Sequence, residues 1–550
     1  MEWKLSLGER WCNGFALLAA LLIFTACSRS GSSGEPPEPA VPPNAEQQVL
    51  TRSLFSEPAS LDPHVVNNSG IHVILDTYEG LLSYNREGDL IPAVAERWES
   101  EDGRVYTFYL RMDALWSNGD PLTASDFVYS WRRLMDPSTG SPHVTQFINV
   151  GVLNAADIVR GVRPPESLGV EALDPHTLRV TLDSPSAYFP HLLAKSMTFP
   201  VHRSSIEKHG NNWTSAEHSV SNGPFKLQEW LINEKIVLAK NENYSASEDT
   251  VLSQVIYLLI PSSNTETKRY LADELNISYQ IPMAQVDRIR EIHNEEFFSS
   301  ERLATRVLEF NITRPPFDNA KLRKALAYAV DRTILTQSRR RLGERPLFHF
   351  TPSGLHGFTP EMLRWAEWSQ AEREARAREL YASAGYSEDN PLEVTLLTPA
   401  SGDYPKEALA IVSMWRNVLG ARARVDVREM QAIYVAGEQG DYEVNLGSFG
   451  ADYLDASAMI GRLVSGSGDS WSGFANARFD ALVAEGNRTL DSERRSTLYN
   501  RAERILAEEM PVVPLYQTAS ARLVKPRVSG YWQSPFDTIP SKDISIGEPK

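Results

Sequence analysis

Cysteine occurs only at positions 12 and 27 of the 550 residues, and that scarcity constrains the fold more than any other feature. Residues 1–26 read as an export signal. Lys4 and Arg10 precede an apolar run from Phe15 to Phe24, and the small pair Thr25-Ala26 closes it. The run is shorter than the about 20 apolar residues that span a bilayer comfortably. Cleavage is therefore expected; an uncleaved membrane anchor is the alternative. An exported chain without disulfides has to be held by the size of its core. At roughly 150 residues per domain, this length allows about three to four structural units.

Cys27 directly follows the small residues, as in a bacterial lipobox, with Phe24 in the place of the usual leucine. Cleavage would remove Cys12 and lipidation would consume the Cys27 thiol. Residues 28–43 are Ser/Gly-rich and then Pro-rich, a flexible piece joined to a stiff one, and read as a tether. The net charge of -16, from 55 basic and 71 acidic residues, is spread along the chain. It argues against a nucleic-acid partner. Removing residues 1–26 takes away Glu2, Lys4, Glu9 and Arg10, so the mature charge is also -16.

Beyond the tether, strand and helix patterns alternate irregularly, which gives a mixed α/β class. Val105 to Leu110, Thr177 to Leu182, Lys235 to Ala239 and Leu392 to Leu397 are β-branched or apolar strand runs. Asn118-Gly119 is a turn pair that needs positive φ. Thr123 with Asp126 forms a capping box ahead of Phe127, Trp131 and Leu134 at helical spacing. A second helix is expected near Asp318, with Leu322, Ala325, Leu326, Ala329 and Val330 on one stripe. A third, Ala371 to Ala384, carries Arg and Glu at i, i+3 and i+4 and reads as solvent-facing.

No constellation for catalysis or metal binding is found. His-Glu-x-x-His, Cys-x-x-Cys, the phosphate-loop lysine and G-x-S-x-G are all missing. Ser465 to Asp469 reads as a surface loop. The spacings of His202 with His209 and of His349 with His356 do not suit a helical metal pair. An enzyme, such as a peptidase, would lack any nameable nucleophile, base or metal, and no cofactor is expected.

Several segments resemble the oligopeptide-binding proteins of ABC importers, the bacterial extracellular solute-binding protein family 5. They are Ser60 to His64, Tyr78 to Leu82, Pro92 to Glu99, Trp116 to Phe127, Asn222 to Leu227, Phe317 to Leu326, Ala451-Asp452-Tyr453 and Ala521 to Pro526, in family order. The resemblance covers nearly everything from about residue 48 onward. It implies an α/β, two-lobed periplasmic-binding-protein-like clamp of class II type with an extra inserted domain. The implied divisions are a signal peptide at 1–26 and a lipidated Cys and tether at 27–45. Lobe I would be 46–79 plus 203–303 plus 520–550, the inserted domain 80–202, and lobe II 304–519. Hinge closure on a ligand held by both lobes would shift the population toward the closed form, which the importer senses.

The resemblance also implies a site. Asp452 would receive the peptide's α-amino group; an Asp that caps a turn before Tyr453 is the alternative. Ser448, Phe449 and Gly450 would let the ligand backbone lie strand-like against the chain, with Asn222-Gly223 opposing them from the other lobe, unless that dipeptide is a plain turn. Leu446 stands where a typical relative has an arginine for a short peptide's carboxylate. Tyr404 stands where a histidine serves a longer ligand, and Met430 replaces an aromatic pocket residue. Ala304 and Gly450 occupy the places of paired cysteines in some relatives.

The implied function is capture of short peptides in the cell envelope, on the periplasmic side, and delivery to an inner-membrane ABC permease by a lipid-anchored monomer. Alternatives are a receptor for murein-derived or signalling peptides, which Leu446 favours, and a peptide sensor that feeds no transporter. Peptide length, preference and transporter are not legible here, nor is inner versus outer membrane.

Overall fold

Thr123 shows how local sequence sets an element. The computed structural model describes residues 48–66, 69–340 and 342–547, and in it the Thr123 N–H donates to Asp126 Oδ2 at 2.7 Å, completing the capping box of the helix Ala124–Met135. Phe127, Trp131 and Leu134 are fully buried along its inner stripe. Asn319 caps the helix Ala320–Tyr328, where Leu322, Ala325 and Leu326 are equally buried. The helix Gln370–Ser383 opens with a second capping box, Ser369 with Glu372, and buries only Ala377, Leu380 and Tyr381. Its remaining face carries the expected Arg-Glu pairs. Gly119 takes φ +89° in a tight loop closed by its own N–H to the Trp116 carbonyl.

The chain divides into two units, Met1–Pro42 and Pro43–Lys550, and every described residue lies in the second. The signal peptide, Cys27 and the tether through residue 45 lie outside the described residues.

Three larger sheets organise the second unit. In the first, Val49–Leu54 pairs in parallel with Gln254–Leu259, and Lys235–Lys240 and Phe225–Leu231 continue it antiparallel. The second is antiparallel, in the order Ala95–Glu99, Val105–Leu110, Thr177–Thr181, Val170–Asp174, with the helix Ala124–Met135 in the same core. The third has six strands ordered Arg345–Pro346, Val512–Leu523, Phe297–Phe310, Val444–Gly450, Glu393–Pro399, Arg422–Arg428.

Helices cover both faces of this third sheet. Leu308, Phe310, Val444 and Leu446 pack against the helices Ala320–Tyr328, Gln370–Ser383 and Tyr404–Leu419. Val307 and Phe449 turn the other way, into a core with the helices Ala477–Arg488 and Ser492–Glu509. Phe297–Phe310 and Val512–Leu523 pair from Phe297 with Leu523 to Glu309 with Val512. These two long strands run across the expected boundaries at 303/304 and 519/520.

Candidate functional site

The strand Val444–Gly450 is the element around which the site is built. Glu393–Pro399 pairs with it only at Val444 and Asn445. From Leu446 onward, its edge on that side has no strand partner among the described residues. On its other edge it is antiparallel to Phe297–Phe310, with Leu446 opposite Leu308, Ser448 opposite Arg306 and Gly450 opposite Ala304. These pairs share one face. Leu446 and Leu308 are completely buried, whereas Ser448 is exposed. The face thus passes from core to open surface within two residues.

Asp452 follows two residues beyond the strand. Arg462 Nη2 donates to its Oδ2 at 2.9 Å, and Lys195 Nζ stands 3.8 Å from the same oxygen. Lys195 also donates to Gln146 Oε1 at 2.8 Å, and Arg462 reaches Asp469 at 3.5 Å. Burial works against the charged form of Asp452, but Lys195 and Arg462, helped by His143, outweigh it and hold the carboxyl below its ordinary range. Burial in turn lowers Lys195. The Asp452 side chain keeps 44% of its surface exposed.

Asp455, three residues on, is the rigid part of the same loop. It receives both Arg495 terminal nitrogens at 2.5 Å, and the Ser457 N–H and hydroxyl on Oδ1. His356 brackets the loop by backbone bonds to Leu454 and Ala456. A seam runs from here to the segment 80–202. Tyr84 Oη accepts the Leu454 N–H at 3.2 Å, Tyr188 stacks on Tyr453 at 5.6 Å, and His356 Nε2 lies 3.1 Å from the Gly88 carbonyl. Lys195 belongs to this seam too.

The other expected residues are distributed unevenly. Tyr404 opens the helix Tyr404–Leu419 and lies half-buried against Arg306, whose guanidinium carbon is 3.8 Å from its ring centre. Met430, 43% exposed, opens the helix Met430–Glu438, and Tyr434 is exposed one turn later and edge-on to Trp471 at 5.6 Å. Gly437 lets Trp471 lie flat on that helix, since a Cβ there would come within 2.1 Å of the indole.

Asn222, Gly223, Phe449 and Leu446 are tied into the fold. The Asn222 amide bonds the Glu79 backbone on both sides, Gly223 N–H donates to the Thr77 carbonyl, and a Gly223 Cβ would stand 2.6 Å from Thr77 and Tyr78 backbone atoms. They weld two chain segments together. Phe449 is only 9% exposed and packs edge-on against Phe350 on the opposite face from Ser448. Leu446 is fully buried opposite Leu308. Ala304 and Gly450, by contrast, do face one another, and a Cβ at Gly450 would lie 3.7 Å from that of Ala304, a separation a disulfide can span.

Residues 89–471 match the family model of the bacterial extracellular solute-binding proteins, family 5. The periplasmic oligopeptide-binding protein OppA of Salmonella typhimurium is 36% identical over 532 residues, 96% of this chain and 98% of that protein. The chain belongs to this family. Among solved structures, the murein tripeptide binding protein MppA of Escherichia coli superposes with a TM-score of 0.81 at 36% identity, covering 92% of this chain and 99% of that one. Haemophilus influenzae OppA in complex with the peptide RPPGFSPFR gives 0.79 at 33% identity, covering 92% and 99%. The family 5 fold is the two-lobed α/β clamp expected above.

As a family 5 protein the chain carries site features that the sequence did not reveal. Lys195, Arg462 and Arg306 are isolated basic residues on separate elements, and neither spacing nor periodicity singles them out. Among the described residues no group of His, Cys, Asp and Glu could hold a metal ion, and no helix is long and apolar enough to cross a membrane.

Proposed function

We propose that this protein captures short peptides in the cell envelope by closure of its two lobes and delivers them to an ABC importer. The observation that carries this reading is the open edge of Val444–Gly450 ending at Asp452. A peptide in extended form adds its main chain to that edge, which gives affinity independent of side chains. Its ammonium meets Asp452, whose two cations both approach Oδ2 and leave Oδ1 to the ligand. Lys195 makes the longer contact and is the partner the ammonium joins or displaces.

The proposed lobes are 46–79 plus 203–303 plus 520–550 and 304–519, with 80–202 as the inserted domain. Lys195 and Asp452 then belong to different bodies, so the ligand's amine and closure act on one carboxylate. We also propose cleavage after Ala26 and lipidation at Cys27, which would keep a monomeric protein at the membrane beside its permease.

Titration calorimetry of the domain from residue 46 tests the binding reading, using two- to five-residue peptides, their N-acetylated forms and Asp452→Asn. Free peptides are expected to bind, with acetylation or the substitution abolishing it. Equal binding of acetylated peptides would remove Asp452 as the anchor. A second reading, a receptor for murein-derived or signalling peptides, is favoured by Leu446 and by the likeness to a murein tripeptide binding protein. A murein tripeptide that outcompetes all ordinary tripeptides would establish it.

A further inference from the structure

Two cations meet at one oxygen of Asp452, and their surroundings do not balance them. Arg462 Nη2 and Lys195 Nζ lie 2.9 and 3.8 Å from Oδ2. The other partners of this pair are mostly neutral. Lys195 donates to the Gln146 amide oxygen, and Arg462 Nε donates to the Ala458 carbonyl at 3.1 Å. Arg462 also reaches Asp469, 3.5 Å from Nη1 and 45% exposed. Burial raises the Asp469 carboxyl; Arg462 works against this and Asp452 adds to it. Asp469 is therefore a weak permanent counterion. His143 donates Nε2 to the Val66 carbonyl at 2.8 Å, and burial lowers it, so it adds no charge near neutral pH. The neighbouring Asp455 is matched one to one by Arg495. At Asp452 the ratio is two cations to one firmly ionised carboxylate.

A peptide's amine enlarges that imbalance. An ammonium at Oδ1 places a third cation beside Lys195 and Arg462, and like charges this close repel strongly once water is shut out. Burial already weighs against the charged form of Lys195. A second carboxylate would restore the balance, and it has to arrive with the ligand. The amine fixes where. Both cations lie within 3.8 Å of the carboxylate that holds it, so the acid group must stand one or two methylene groups from the ligand's first Cα. That is the side chain of an amino-terminal Asp or Glu. A basic first side chain would bring one more charge of the wrong sign.

We infer that Lys195 and Arg462 select peptides whose first residue carries an acidic side chain. This rests on the peptide-binding reading above and names the ligand class for it. The ligand's ammonium pairs with Asp452 while its side-chain carboxylate takes the free N–H groups of Arg462 and Lys195, two charge-assisted contacts with opposite signs. Lys195 comes from the segment 80–202 and Arg462 from 304–519, so the acidic side chain is gripped from both sides and rewards the closed form.

Tripeptides of two alanines headed by Glu, Asp, Gln or Lys, free and N-acetylated, are titrated into the wild type, Arg462→Gln, Lys195→Met and Asp469→Asn. For the wild type we expect the Glu peptide to bind at least about 10-fold more tightly than its Gln isostere, and the Lys peptide to bind most weakly. The Glu-to-Gln ratio should fall to within about threefold in Arg462→Gln and in Lys195→Met. Asp469→Asn, which removes the competing anion, should leave it at least as large. Equal binding of the Glu and Gln peptides by the wild type overturns the inference without needing a variant, as does a ratio that survives unchanged in folded Arg462→Gln and Lys195→Met. Retained sensitivity to acetylation with no preference for an acidic first residue removes this inference alone. Failure of every peptide to bind removes the peptide-binding reading and this one with it.

Discussion

Asp452 and Asp455 share one loop and are held in opposite ways. Asp455 is 1% exposed, in a two-pronged pair with Arg495 that is itself 4% exposed, and its remaining acceptor capacity goes to Ser457. Asp452 is 44% exposed and shares a single oxygen between two cations, one of them at 3.8 Å. A buried carboxylate with every position filled can only hold the fold. One held ionised, half open and loosely paired can exchange a partner for a ligand's ammonium. The contrast between the fixed and the loosely paired aspartate falls within four residues.

The sharpest way to break this comparison is Asp455→Ala. It leaves the Arg495 charge buried and uncompensated, and should cost about 3–5 kcal/mol of stability in denaturant melts. Asp452→Asn should barely move the same melts, by at most about 1 kcal/mol, as expected of an exposed ion pair. In titrations it should weaken peptide binding by about 2–5 kcal/mol, on the order of 30-fold or more. If instead both substitutions destabilise equally, the division between scaffold and site fails.

Acid sharpens the comparison further. Burial holds His191, which packs on Tyr84 and His356 at the seam, at about 4, so the folded state resists its protonation. Its stabilising contribution is complete above about 6.5 and is lost as pH falls from there toward 4, by up to about 1 kcal/mol per pH unit. His191→Gln should flatten the Tm profile in that window. For Asp455, burial opposes the charged form but the Arg495 guanidinium prevails and lowers the carboxyl. Its contribution is present above the ordinary carboxylate range and is lost only as pH falls below it. The smallest effect belongs to Lys195→Met, expected to change stability by less than about 1 kcal/mol while making Asp452 easier to protonate. An NMR titration of the Asp452 carboxyl would register the latter.

Elements with a local cause were readable in advance. Thr123 with Asp126 caps one helix, and the charged stripe of Gln370–Ser383 lies outward, because capping and amphipathic spacing act within a few residues. Asp452 was readable only through its Ala-Asp-Tyr context. A dipeptide such as Asn222-Gly223 does not reveal that its amide will bind the backbone of Glu79. The face taken by Phe449 was hidden for a related reason. Adjacent strand residues point to opposite faces, and only the register with Phe297–Phe310 says which face is core.

The sequence by itself determined the mixed α/β class and the family. Each follows from composition, short-range pattern or ordered motifs. Tertiary structure alone decided that Lys195 and Arg462 converge on Asp452, that Leu446 is core and that Arg306 Nη1 is buried without a hydrogen-bond partner. Those facts depend on strand register and on contacts between residues hundreds of positions apart, and neither leaves a periodic trace in the chain.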